Sequence, residues 1–195
     1  MSWFHSSIAG FDARNHASSV EIVACFQGQR NVLGRLAFLI TGDQATANQA
    51  VVQACETTLQ GNGPFRDWLL EWAKAATIAS AISHAAEAIR ICEADYKDQR
   101  CPHAEHLPPG DDEERAANLA LILGSDAQTL ISELDPLCRA VLVLRVAIRS
   151  SIQNCASRLN VSHAAVLGAN CHAMEWFQKR PVMAVKENHE ASHVV

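Results

Sequence analysis

The chain has 195 residues, 49% of them hydrophobic, and a net charge of −5, so it is long and apolar enough to form one domain or two small ones. No apolar run reaches the ~18–20 residues of a membrane-spanning helix, and no basic segment precedes an apolar one at the N-terminus, as it would in a secretory signal. The seven cysteines are irregularly spaced, which is typical of reduced thiols and predicts a cytoplasmic protein without membrane contact.

Three helices are predicted in the first part of the chain. The first opens at Ser18 or Ser19, because either hydroxyl can accept a hydrogen bond from the first free backbone N–H groups. The second spans residues 32–40. Gly42 then supplies the left-handed conformation that ends a helix, and Asp43 caps the third helix.

The longest predicted helix spans residues 65–91 and follows a Gly-Asn-Gly-Pro break. Its apolar side chains recur at spacings of three and four, which predicts one buried face. Trp68 and Trp72 lie one turn apart, and we expect them in the core of a helical bundle. The alternative is a surface on which exposed bases stack. Arg66 and Lys74 flank this pair and are the cationic candidates of the region.

The composition changes after residue 91. Residues 91–115 carry eight acidic residues, three basic residues and three prolines, which is typical of a solvated linker. We therefore predict an all-α fold with two small helical domains, an N-terminal helical bundle and a C-terminal helix-turn-helix domain. The predicted divisions are an irregular lead-in at 1–17, the bundle at 18–91, the linker at 92–115, the helix-turn-helix domain at 116–180 and a polar tail at 181–195.

The last helical stretch predicts a helix-turn-helix. Asp135 is a suitable N-cap and Pro136 a suitable first residue for a helix that runs to Ile148. A short helix follows and ends at Asn160, which tolerates the left-handed conformation, and Ser162 caps the final helix. Two helices joined by a short turn are the parts of a helix-turn-helix.

Several segments follow one another in a distinctive order. They are Leu39-Ile40-Thr41-Gly42-Asp43, Phe65-Arg66-Asp67-Trp68-Leu69 at the start of the long helix, the acidic linker, and Leu134-Asp135-Pro136 before the helix-turn-helix. This order resembles the small two-domain sigma factors of bacterial RNA polymerase, those of the extracytoplasmic-function class, over most of residues 18–178. The resemblance implies that the first domain binds core RNA polymerase and the −10 element, and that the last helix reads the −35 element.

The positions that carry charge in that family are mostly uncharged here. In the recognition helix, Leu167, Ala169 and His172 stand where the family has lysine and arginine. The long helix has no basic residue before Arg90 in its second half except the weakly basic His84. The acidic stretch with which the family docks on polymerase corresponds here to Asn48, Gln49, Val52 and Gln53.

Helical phase predicts that His163, Leu167, Asn170 and Met174 lie on the solvent side of the last helix. The amide of Asn170 suits an adenine edge, and Ser162 or His163 suits a phosphate. The full set of candidate DNA contacts is Arg66, Lys74, Arg145, Arg149, Arg158, Ser162, His163, Leu167, Asn170 and His172. The alternative is that the last helix faces a protein and that the arginines are solvated and paired with acids.

A metal site is a weaker alternative in the linker region. Cys92, Cys101, His103 and His106 are ligands that zinc accepts. The cysteines lack the usual zinc-site spacing, so coincidence is the competing interpretation. The chain has no Gly-rich phosphate loop, no HExxH motif and no nucleophile elbow, and we expect no enzyme, no catalytic residue and no cofactor.

Two functions follow as expectations. The first is a sigma-factor-like protein of transcription initiation that binds core RNA polymerase and promoter DNA. The alternative is a degenerate sigma-like protein that no longer reads DNA and binds a protein partner or itself. A continuous basic face across Arg145, Arg149, Arg158 and Lys179 would favour DNA, whereas an apolar face on Leu167 and Met174 would favour a protein.

Overall fold

The computed structural model describes residues 15–97 and 133–178, and these ranges are helical, with no strand among them. The predicted all-α class is therefore confirmed. A single antiparallel bridge joins His16 to Phe65, and a 3-10 turn spans Arg66–Trp68. The α-helices are α1 (Ser19–Gly28), α2 (Arg30–Thr41), α3 (Gln44–Gln60), α4 (Leu69–Tyr96), α5 (Pro136–Ala147), α6 (Ile152–Leu159) and α7 (His163–Gln178).

The predicted caps begin and end these helices. Ser18 forms a capping box with Glu21, whose carboxylate accepts the Ser18 N–H at 2.9 Å. The carboxylate of Asp43 accepts the Thr46 N–H at 2.7 Å at the start of α3. Gly42 ends α2 with a φ of 72°, where a side chain would be strained. Helix bounds in the first part of the chain therefore follow local side-chain chemistry.

Helices α2, α3 and α4 pack against one another, and α1 lies across α3 and α4. The core between them is built from aliphatic side chains on α2 and α4 and from alanines on α3. Leu36, Ile40, Ile78 and Ile89 are among the fully buried side chains. Each such side chain contributes about 1.5–3 kcal/mol by leaving water.

Helix α5 joins the two predicted groups of helices. It packs against α2 and α4 on one side and against α6 and α7 on the other. Six consecutive residues, 140–145, are buried, and six residues span more than one full turn. Helix α5 is thus buried around its whole circumference, and the same apolar cluster continues from α2 to α7. The division into two domains stays a prediction, but α2 to α7 share one core, while α1 packs into a second, smaller cluster with α2, α3 and α4.

Several predicted segments lie outside the described residues. They are most of the lead-in, the linker after Lys97, the start of the second predicted domain and the polar tail. Among the helices that are described, none is both long and apolar enough to cross a membrane.

Candidate protein and nucleic-acid contact surfaces

The four candidate polymerase contacts lie on the surface of α3. Asn48, Gln49, Val52 and Gln53 are all exposed, and Val52 is exposed to 57%, which is unusual for a valine. Beside them a cleft of about 330 Å³ runs between α3 and the α1–α2 pair. Apolar side chains, including Phe26 and Val52, line this cleft together with Arg30 and Glu56.

A second, shallower groove lies between α3 and α4. The side-chain oxygen of Gln53 accepts a hydrogen bond from the Ser80 hydroxyl at 3.1 Å and lies 2.8 Å from Nε2 of His84. The groove is lined by Asn48, Gln49, Val52, Gln53, Glu56 and His84. The candidate polymerase contacts therefore form one continuous, nearly uncharged face, which we call the α3 face.

Trp68 and Trp72 are exposed to 70% and 51%, so the prediction that they lie in the core is wrong. The buried row of α4 runs through Ala73 and Thr77. Trp72 is thus one residue out of step with that row, which turns it about 100° away, and Trp68 lies in the 3-10 turn before α4. Phe65 is also exposed, and its ring lies 6.3 Å from that of Trp68 in an edge-to-face arrangement. We call Phe65, Trp68 and Trp72 the aromatic patch.

The two candidate cations of this region are already paired. Arg66 Nε lies 2.7 Å from the carboxylate of Glu21, and Lys74 Nζ lies 2.6 Å from that of Glu71. Hydrogen bonds from Ser18, followed by Arg66, lower the pKa of Glu21 to about 2, so this carboxylate is charged at neutral pH. Arg66 and Glu71 are exposed, whereas the Lys74 side chain is exposed to only 21%; exposed ion pairs are weak. Arg66 therefore remains able to exchange partners.

The aromatic patch is held by the start of the described chain, a contact that sequence reasoning missed. The Ala17 N–H donates to the Pro64 carbonyl at 2.8 Å, and the Arg66 N–H donates to the Asn15 carbonyl at 2.9 Å. The His16 ring lies 4.5 Å from that of Phe65. Residues 15–17 were predicted to be irregular, because a pairing across some fifty residues leaves no local signal.

The predicted turn joins α6 and α7. Asn160 ends α6 with a φ of 52°, and the Ser162 hydroxyl accepts the Ala165 N–H at 3.3 Å at the start of α7. His163 and His172 are exposed, whereas Leu167, Cys171 and Met174 are half-buried. The expected apolar outer face on Leu167 and Met174 is therefore only partly open to solvent.

Asn170 is exposed to only 2%, so the prediction that it lies on the solvent side is wrong. Helix α7 packs against α4, α5 and α6 together, which widens its buried arc beyond a single stripe. Asn170 lies one turn from Val166 and joins that arc. Its side-chain nitrogen has no hydrogen-bond partner among the described residues. In this arrangement the amide is not presented to DNA.

The predicted basic face is interrupted. Arg145 is exposed to 5%, and one of its guanidinium nitrogens donates to the Ser150 carbonyl at 2.9 Å. Burial lowers the pKa of this guanidinium. Arg149 and Arg158 are exposed, while Lys179 lies outside the described residues. Arg145 therefore supports the turn between α5 and α6 and is not available to a phosphate.

The last turns of α4 contact the starts of both α5 and α7. The carboxylate of Glu93 accepts the Ser162 N–H at 2.9 Å, which lowers the pKa of Glu93. The Tyr96 hydroxyl donates to the carboxylate of Asp135, the N-cap of α5. The Tyr96 ring also lies 6.1 Å from that of His172. These contacts join residues far apart in the chain, so helical spacing carried no signal for them.

No protein-family model, no curated protein and no solved structure matches the chain. The resemblance to sigma factors therefore rests on the residues quoted for it.

Most residues of the alternative zinc site cannot be placed in the structure. Cys101, His103 and His106 lie outside the described residues, and Cys92 is half-buried on α4. Within residues 15–97 and 133–178, no three histidine, cysteine or acidic side chains are grouped as metal ligands would be. Cys171 is disulfide-bonded, so the expectation of reduced thiols is wrong for Cys171.

Proposed function

We propose that this chain is a sigma-like protein of transcription initiation. It binds core RNA polymerase through the α3 face and single-stranded promoter DNA through the aromatic patch. The exposure of Trp68 and Trp72 is the observation that carries the proposal. Large aromatic side chains are seldom left in water without a binding role. In the family that the sequence resembles, this helix faces the melted promoter.

The chemistry of the aromatic patch suits unpaired bases. Stacking on an aromatic ring is tolerant of sequence and contributes about 1–3 kcal/mol per base. Arg66 directly follows Phe65 and pairs with Glu21 at the surface, whereas Lys74, two residues past Trp72, lies on another side of α4. A phosphate can replace a carboxylate in such a pair at little cost. The patch therefore combines stacking surfaces with one exchangeable cation, Arg66.

Binding of a labelled single strand tests this part of the proposal. The double variant Trp68→Ala/Trp72→Ala is expected to bind the strand at least about tenfold more weakly than the native chain, since two stacking platforms are lost. Ile91→Ala is the matched control, because Ile91 is an exposed apolar residue at the other end of α4. Equal binding by the double variant and the native chain would rule out the aromatic patch as the binding surface.

The α3 face is the proposed polymerase contact. Val52→Glu places a charge at its centre and is expected to weaken capture by immobilised core RNA polymerase about tenfold. Val20→Glu makes the same change at a valine of α1 that is exposed to 78% and lines neither groove. Failure of the native chain to be captured, with its helices intact by circular dichroism, would overturn the polymerase contact.

A second function is favoured by the burial of Arg145 and Asn170. Without them the outer surface of α6 and α7 offers few groups to duplex DNA, and a chain of this kind acts as a protein-interaction module or regulator. If polymerase captures the chain but binds promoter DNA no more tightly with it than without it, the second function is supported over the first. Self-association is tested in the same samples by sedimentation.

A further inference from the structure

The cleft between α3 and the α1–α2 pair has walls that take no part in the proposed function. Phe26 of α1 is exposed to 4% and Val51 of α3 is half-buried, and both line the cleft with other apolar side chains. The cleft has a volume of about 330 Å³. Small-molecule sites have volumes of about 300–1,000 Å³ and are lined mostly by apolar groups with a few polar ones. The cleft therefore has the size and composition of a small-molecule site.

Gly34 leaves one wall of the cleft without a side chain. It is half-buried inside α2 and lines the cleft. A Cβ atom built on it would meet nothing within 4 Å, and its φ is not positive, so neither close packing nor the backbone requires a glycine there. Glycine inside a helix destabilises that helix relative to alanine. The structural effect of Gly34 is thus to keep the cleft open, at a cost to α2.

Two oppositely charged side chains lie at the same end of the cleft. Arg30 begins α2, and Glu56 lies four residues before the end of α3. Helices α2 and α3 are joined by the short turn at Gly42 and pack against each other, so the start of one lies beside the end of the other. In the part of the chain that the structure describes, neither Arg30 nor Glu56 takes part in an ion pair or a hydrogen bond. Both charges are therefore available to a ligand.

These two charges discriminate between ligands. A carboxylate alone is attracted to Arg30 and repelled by Glu56, and the reverse holds for an amine alone. A zwitterion can place each of its charges beside the opposite one. We propose that the cleft binds a free α-amino acid with a large apolar side chain, with its carboxylate at Arg30, its ammonium group at Glu56 and its side chain beside Gly34. The inference is independent of the proposed function, because it requires neither polymerase nor nucleic acid.

Isothermal titration calorimetry of the full-length chain with L-phenylalanine tests the inference. The expected Kd is on the order of 0.1–1 mM, because the ligand is small and the cleft is partly open to solvent. Two probes of similar shape isolate the charges: 3-phenylpropanoate lacks the ammonium group, and 2-phenylethylamine lacks the carboxylate. Each is expected to bind about threefold to fivefold more weakly than phenylalanine, since exposed charge pairs contribute modestly.

Variants at the two charged residues show which charge binds which group. Glu56→Gln is expected to weaken phenylalanine binding about threefold and to abolish its advantage over 3-phenylpropanoate. Arg30→Gln is expected to have the same effect relative to 2-phenylethylamine. Arg35→Gln and Glu87→Gln are the matched controls, because they make the same charge changes at exposed residues that do not line the cleft. Both controls are expected to bind phenylalanine like the native chain.

Gly34→Leu tests the cleft itself. The added side chain would occupy the cleft and is expected to weaken phenylalanine binding at least about tenfold. Gly34→Ala is the control, because one methyl group leaves most of the cleft open. Circular dichroism shows whether each variant is folded, and the charge variants decide the matter if Gly34→Leu is not. No binding by the native chain up to about 10 mM phenylalanine, undiminished binding by a folded Gly34→Leu variant, or equal binding of the three probes would overturn the site.

Discussion

Gly42 and Arg139 are in direct contact: a Cβ atom built on Gly42 would lie 2.7 Å from Nη2 of Arg139. The turn that ends α2 thus receives a guanidinium from α5. A cation is favourable at the C-terminal end of a helix, where the backbone carbonyls are unpaired. Two segments that the sequence places nearly a hundred residues apart, the Thr-Gly-Asp turn and the helix after Leu-Asp-Pro, therefore meet at the end of α2.

Gly42→Ala is expected to destabilise the protein by about 1–2 kcal/mol, because a side chain is strained at a φ of 72°, and by more if Arg139 is displaced. Chemical denaturation followed by circular dichroism measures the loss. Gly34→Ala is the control: Gly34 lies inside α2 with nothing within 4 Å of its added Cβ. That change is expected to stabilise by about 0.5–1 kcal/mol. Equal effects of the two changes would contradict the strained turn.

The shared core predicts one cooperative unfolding transition for the described helices. Leu144 is fully buried on α5, and Leu144→Ala is expected to cost about 2–5 kcal/mol. Because α5 packs against helices of both predicted groups, the whole transition is expected to shift. Tryptophan fluorescence and circular dichroism, followed in parallel, should report the same midpoint. A variant in which only part of the helical signal melts early would instead support two independent domains.

Asp135 predicts a loss of stability on the acid side. Burial raises its pKa, but hydrogen bonds from the Tyr96 hydroxyl and the Cys138 N–H outweigh burial and hold the pKa of Asp135 below its usual 3.8. A carboxyl with a lowered folded-state pKa stabilises the fold above its unfolded pKa. That stability is lost as the pH falls from 3.8 through the lower folded value.

Tyr96→Phe removes the hydroxyl donor and is expected to make unfolding less dependent on pH in this acidic range. The measurement is the free energy of unfolding at a series of pH values for both proteins. At neutral pH the variant should differ from the native chain by a constant offset, which serves as the internal control. Parallel curves through the acidic range would show that the Tyr96 hydrogen bond does not stabilise the charged form.

Arg145 is expected to contribute to the stability of the fold and not to DNA binding. Arg145→Ala leaves the Ser150 carbonyl without its donor and is expected to cost about 1–3 kcal/mol. Arg158→Ala removes an exposed arginine of α6 and is expected to change stability by less than about 0.5 kcal/mol. For duplex binding we expect the opposite: Arg158→Ala should weaken the complex, and Arg145→Ala should not. A stable Arg145→Ala variant with weakened duplex binding would show that Arg145 is part of the DNA-binding surface.

The sequence by itself determined the helices and most of their ends, although α4 spans Leu69–Tyr96 and not the predicted 65–91, so it continues into the predicted linker. Capping depends on groups within three or four residues of each other, so Asp43, Asp135 and Ser162 could be identified as caps from their neighbours alone. The same holds for Gly42 and Asn160, whose backbone conformations few other residues adopt readily. The turn of the helix-turn-helix was predictable for this reason.

Only the tertiary structure decided which faces of those helices meet solvent. Helical spacing identifies an apolar stripe, but it does not say how many neighbours a helix has or where the stripe ends. Three neighbours bury Asn170 on α7, and a rotation of one residue from the buried row of α4 leaves Trp72 in water. The contact of Glu93 with Ser162 spans 69 residues. Burial and such pairings depend on how helices pack in space, and no local pattern in the chain records that arrangement.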